Sequence, residues 1–131
     1  MKLSKTQKQA VQTHLQGMVE NMDAAVGAIA VTADGHLVCR AEKKEIPAQR
    51  LAAMGSSLMS LGNTITKELA MGTCRNVISE NEKGVVVFMQ IVPGLVLVAV
   101  ANDTGALGML LSGCRNVIGA IDRDEILKQG A

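Results

Sequence analysis

Val85-Val86-Val87-Phe88-Met89-Gln90-Ile91-Val92, then Pro93-Gly94, then Leu95-Val96-Leu97-Val98-Ala99-Val100-Ala101-Asn102 is the stretch whose reading decides the fold. Two short apolar runs rich in β-branched residues and split by a turn pair read as neighbouring antiparallel strands. A strand that is apolar at almost every position has both faces covered, so these two belong in the middle of a sheet. Just upstream, Cys74-Arg75-Asn76-Val77-Ile78-Ser79-Glu80 alternates polar and apolar residues and leads into the turn-rich Glu80-Asn81-Glu82-Lys83-Gly84. It makes a third strand of the same meander and reads as an edge. An open edge is a pairing liability that a homodimer can use by joining two sheets.

Working back toward the N-terminus, Val26-Gly27-Ala28-Ile29-Ala30-Val31-Thr32, then Ala33-Asp34-Gly35, then His36 to Glu42 reads as a hairpin, because Asp-Gly between apolar runs is a strong short-range turn signal. The first of its strands is again apolar throughout, which calls for helices on both sides of the sheet. Ser4-Lys5-Thr6-Gln7 has the spacing of a capping box and opens an amphipathic helix carrying Val11, Leu15, Met18 and Met22. Pro47 sits at the start of a long helix running to about Ala70. After the meander, Asn102 or Asp103 caps a last helix with Leu107, Leu110, Leu111, Cys114, Val117, Ile118 and Ile121 at helical spacing. The expectation is an α+β chain in the order α-β-β-α-β-β-β-α, followed by a polar tail from Asp122 in which Ile126 and Leu127 either prolong the helix or dock on a partner.

The long helix has too much apolar surface for one sheet. One stripe is Leu51, Met54, Leu58, Leu61, Ile65 and Leu69; a second, about 100° round the axis, is Ala52, Gly55, Met59, Gly62 and Thr66. Each glycine costs a helix about 1 kcal/mol relative to alanine, so close approach of another backbone is expected to offset Gly55 and Gly62. A second copy of the helix, antiparallel across a two-fold axis, supplies that approach; the alternative is that the glycines sit against the chain's own sheet. The expected dimer interface is therefore Ala52, Gly55, Met59, Gly62 and Thr66 from the helix with Arg75, Val77 and Ser79 from the edge strand.

Composition excludes much else. The 131 residues carry 13 Lys and Arg against 12 Asp and Glu, a formal charge of +1 that creates no field to gather phosphates, so nucleic acid is not an expected partner. Phe88 is the single aromatic residue, which leaves an aliphatic core and no platform for stacking bases, sugars or flat cofactors. Cys39, Cys74 and Cys114 are odd in number and far apart, so neither a zinc site nor a disulfide framework is readable. With no signal peptide or apolar span, a reducing, cytoplasmic setting without membrane insertion is expected.

Catalytic groupings are equally missing. His14 lies in the first helix as a structural histidine, His36 lies beside the hairpin turn, and no nucleophile elbow accompanies either. Gly105-Ala106-Leu107-Gly108 lacks the residues of a phosphate loop. Glu42 with Glu45, and Asp122 with Asp124, read as solvated faces. Cys-Arg-Asn-Val-Ile occurs at 74 to 78 and again at 114 to 118, once as strand and once as helix, which is coincidence rather than a structural repeat. No catalytic residue, cofactor or metal is expected.

The order of elements, the run Val26 to Gly35, the run Gly94 to Asp103 leading into Leu107-Gly108, and Ser56 to Leu61 in the long helix together resemble the Roadblock/LC7 family. The likeness covers roughly Val11 to Ile121, leaving residues 122 to 131 as a polar tail of a single domain. It implies a profilin-like α/β/α sandwich with a five-stranded antiparallel sheet between helices, dimerised through the long helix and the third strand. It also implies a non-enzymatic adaptor or regulator of a small Ras-like GTPase, or a structural subunit of a motor, pilus or signalling-kinase complex.

Overall fold

The computed structural model describes residues 1 to 128. Its elements run α1 (Lys5–Glu20), β1 (Ala25–Thr32), β2 (Leu37–Glu42), α2 (Ala48–Glu68), β3 (Asn76–Asn81), β4 (Gly84–Val92), β5 (Leu95–Ala101) and α3 (Leu107–Arg123), with a 3₁₀ turn at Thr104–Ala106 before the last helix. The strands form one antiparallel sheet in the order β2-β1-β5-β4-β3. The three most apolar strands are thus the inner ones, and the two mixed strands are the edges.

Register divides the core into two layers. One row of side chains runs Ile29, Val98, Phe88, Val77 across β1, β5, β4 and β3 and faces α2, where Ala52 and Met59 complete a buried cluster. The next row, Ala28, Ala99 and Val87, faces the other way and is covered by Val11 and Leu15 of α1 and Leu110, Cys114, Val117 and Ile121 of α3. Small strand residues lie under α1 and α3, and a second layer of aliphatic groups fills the space above them.

Local chemistry sets the boundaries. Ser4 Oγ accepts from the Gln7 amide at 3.1 Å while Gln7 Oε1 accepts from the Ser4 amide at 2.8 Å, the reciprocal capping box. Gln7 Nε2 also donates to the Ile126 carbonyl at 3.2 Å. Ile126 itself is buried in the core, so this end of the polar tail packs on its own chain, and residues 129 to 131 of that tail lie outside the described residues. At the hairpin, Gly35 has φ +87 and donates to the Thr32 carbonyl, while the Thr32 amide donates to the His36 carbonyl at 2.9 Å. A glycine in that left-handed position closes a three-residue loop.

Several boundaries shift by a residue or two. Pro47 is the cap before α2 rather than its first helical residue. β3 begins at Asn76 instead of Cys74, because Asn63 of α2 accepts the Cys74 amide at 2.9 Å and draws that residue under the helix. Asp103 caps the 3₁₀ turn through the Gly105 amide, not the α-helix that follows.

Candidate partner-binding surface

The interface residues expected on α2 need a correction. Ala52, Gly55 and Met59 are buried against the chain's own sheet. A Cβ on Gly55 would stand 3.1 Å from Val98 and 3.4 Å from Phe88, and one on Gly62 would stand 2.6 Å from Cys74 Sγ and 3.5 Å from Val77. The glycines let the helix lie close to a sheet of bulky Val and Phe side chains; the close approach is intramolecular. Thr66 is half-buried, Arg75 is exposed just before β3, and Val77 and Ser79 are half-buried.

The other stripe is the one left open. Met54 is 49 %, Leu61 56 %, Ile65 50 % and Leu69 58 % exposed, with Leu51 and Leu58 half-covered between them. Four large apolar side chains on one helix face form a contiguous patch of the sort that marks an interaction site. The open stripe is the more apolar of the two in the sequence, so hydropathy alone would turn it inward. What separates them is size, since small residues mark where a helix meets a flat sheet closely, and that signal points the large residues outward.

The two sheet edges are not equivalent. On β2, Gln12 of α1 donates to the Arg40 carbonyl at 3.0 Å, and Arg40 pairs with Glu42, so this edge is partly closed by the chain itself. On β3, the Gln90 amide donates to the Arg75 carbonyl at 2.9 Å. With Val77 opposite Phe88 and Ser79 opposite Val86, odd-numbered residues turn their backbone groups toward β4 and even-numbered ones turn them outward. Ile78 and Glu80 thus present amides and carbonyls that are unpaired among the described residues; the Asn76 carbonyl meets the Cys74 thiol at 3.6 Å.

On the opposite face of the sheet, a groove of about 620 Å³ runs between α3 and the β3–β4 pair, with Met89, Ile91, Ile118 and Leu127 among its apolar lining and Arg75 and Arg115 among its polar lining. Ile78 on this face is 39 % exposed. Hydrogen bonds from Thr32 and then His36 hold the Asp34 carboxyl down at about 2. Burial pushes the Cys114 thiol up to about 12 and Cys39 up to about 11, far from thiolate reactivity. His14, half-buried, lies 3.1 Å from the Asp124 carboxylate and ties α1 to the end of α3. Among the described residues no His, Cys, Asp and Glu cluster could hold a metal, and no helix is long and apolar enough to cross a membrane.

Residues 12–101 match the family model described as Roadblock/LC7 domain. The chain belongs to that family. The Roadblock/LC7 fold is repeated in solved structures of low identity. The gliding protein MglB of Thermus thermophilus superposes with TM-score 0.84 at 17 % identity, covering 98 % of this chain and 96 % of that one. Myxococcus xanthus MglB gives 0.84 at 15 % identity over the whole of both chains. A Roadblock/LC7 domain from Streptomyces avermitilis gives 0.74 at 19 %, covering 88 % and 97 %. No curated protein matches the sequence. In this Roadblock/LC7 chain the five-stranded sheet and its three helices stand in the order expected from the residues.

Proposed function

We propose that the chain works as a non-enzymatic homodimeric adaptor or regulator of a small Ras-like GTPase, as one Roadblock/LC7-like domain. The observation that carries the reading is the outward stripe Met54, Leu61, Ile65 and Leu69 standing beside the unpaired edge of β3. A two-fold axis through Ile78 sets β3 antiparallel to its mate, with Asn76 opposite Glu80 of the second copy. The same axis brings the two α2 helices together, so that large side chains rather than glycines fill the contact. In this reading Val77 and Ser79 keep their expected place at the seam, and Arg75 flanks it.

The rigid double sheet that results offers a broad surface able to hold one conformation of a switch segment by differential contact. In this reading the chain acts by binding rather than by supplying a reacting group. The test is capture of a Ras-like GTPase, loaded in turn with GTP analogue and GDP, by the immobilised full chain. Retention that depends on the nucleotide supports the reading. Retention indifferent to nucleotide assigns the chain to structural subunits of a larger complex, and no retention together with an unchanged hydrolysis rate rejects the GTPase role.

A further inference from the structure

We propose that the cavity between α2 and the paired β1–β2 and β4–β5 turns binds a small organic monoanion, a carboxylate on a short apolar stem. The inference stands on the single chain and does not depend on the dimer reading.

The helix α2 has three faces. Gly55, Met59 and Gly62 lie on the sheet, and the open stripe lies to one side. Ser56, Ser60, Asn63 and Lys67 follow at three- and four-residue steps along the other side. Serine and asparagine are poor helix formers, because their side chains compete for backbone hydrogen bonds, so a row of them inside a helix calls for another use. Two are structural. The Ser56 hydroxyl donates to the Ala33 carbonyl, and Asn63 Oδ1 accepts from the Cys74 amide at 2.9 Å. All of them border a cavity of about 350 Å³.

The rim of this cavity is held by the chain itself. The Ala33 amide donates to the Gly94 carbonyl at 3.0 Å, which ties the two turns together, and Ser56 ties them to the helix. Met59 and Val96, both buried, make an apolar floor. Gln90 stands opposite Val96 and shares the α2 face of β4 with Phe88, two residues before it. The Ser60 hydroxyl, Asn63 Nδ2, the Lys67 ammonium and the Gln90 side-chain amide have no hydrogen-bond or ion-pair partner among the described residues. Donors converging over an apolar floor make the pattern of a small-ligand site.

The charges around the cavity define the occupant. Among the described residues Lys67 is the one charged side chain in the lining, and no carboxylate answers it there. Asp34, next to Ala33, lies outside the lining and is engaged by the Thr32 hydroxyl and by His36 at 2.9 Å. Glu68 falls on the side of the helix that carries Leu61. Lys67 also stands in the last turn of α2, where the carbonyl end of a helix carries partial negative charge. The cation is therefore partly offset, which suits one negative charge rather than two and favours a carboxylate over a phosphate dianion. The hydroxyl and amide donors serve its oxygens, and Met59 with Val96 meets the stem.

The experiment titrates the nitrogen-15-labelled full chain with butanoate, its neutral isostere butanamide, and inorganic phosphate at constant ionic strength, following backbone and side-chain amide resonances. Butanoate should give saturable shifts at one site per chain, centred on the Asn63 and Gln90 side-chain amides and the Gly94 amide. Butanamide and phosphate should each bind about tenfold more weakly. Lys67→Gln should weaken butanoate by about the same factor while leaving butanamide unchanged, and Lys67→Arg should retain the preference. Lys83→Gln, in the distant β3–β4 turn, should change nothing. No saturable shift, shifts spread over the surface lysines, equal affinity for butanoate and butanamide, tighter binding of phosphate, or indifference to Lys67→Gln overturns the assignment.

Discussion

Replacing Leu61 by glutamate tests the proposed dimer in the middle of the open stripe of α2. Full burial of a leucine is worth roughly 1.5–3 kcal/mol, and Leu61 is 56 % exposed in the single chain. Covering the remainder in the dimer therefore contributes about 0.8–1.7 kcal/mol per copy and about 1.6–3.4 kcal/mol for the symmetric pair. At 1.4 kcal/mol per decade, losing it raises the dissociation constant roughly ten- to three-hundred-fold. An uncompensated carboxylate forced into the contact adds to that figure. Sedimentation equilibrium across the micromolar range measures it, with Met109→Glu as the control, since Met109 is 63 % exposed but lies on α3. A dissociation constant unmoved by Leu61→Glu, or a species of 13.7 kDa for the unaltered chain at every concentration, refutes the reasoning.

Gly62→Ala should destabilise the fold by about 1–3 kcal/mol through overpacking against Cys74 Sγ; thermal melts should show Cys74→Ala restoring much of that loss, and simple additivity would deny the contact. Ser4→Ala should cost about 1 kcal/mol by removing the cap of α1, read in denaturant unfolding. The Asp34 carboxyl is held below its ordinary 3.8 at about 2, so its hydrogen bonds favour the folded state in full above about 3.8 and are lost as pH falls through about 2. Carbon-13 shifts of that carboxyl should report the lower midpoint, and an ordinary value would contradict the geometry. Cys114, raised to about 12 by burial, should resist alkylation at pH 8 in folded protein and react quickly once unfolded.

The layer order was readable because the periods are clean. Val26–Thr32 and Leu95–Ala101 are apolar on both faces and fell inside the sheet, while the alternation from Asn76 to Glu80 placed β3 at an edge. The capping box at Ser4 and Gln7 was read from spacing alone and is present atom for atom. The facing of α2 was not readable from hydropathy, which would turn the leucine stripe inward; the small residues of the other stripe, with Val98 and Phe88 packed beneath Gly55, decide which stripe meets the sheet. Ile126 is buried in the core and its carbonyl accepts from Gln7, more than a hundred residues away, and no local pattern carries that contact.

The inequality of the two sheet borders limits assembly. A unit with two sticky sides can add neighbours without end, as in a fibre, whereas a unit with one can couple once and stop. By lending Gln12 to the Arg40 carbonyl, the first helix partly closes the β2 border, so that in the proposed dimer β3 is the more open border and coupling there favours a closed pair over a growing chain.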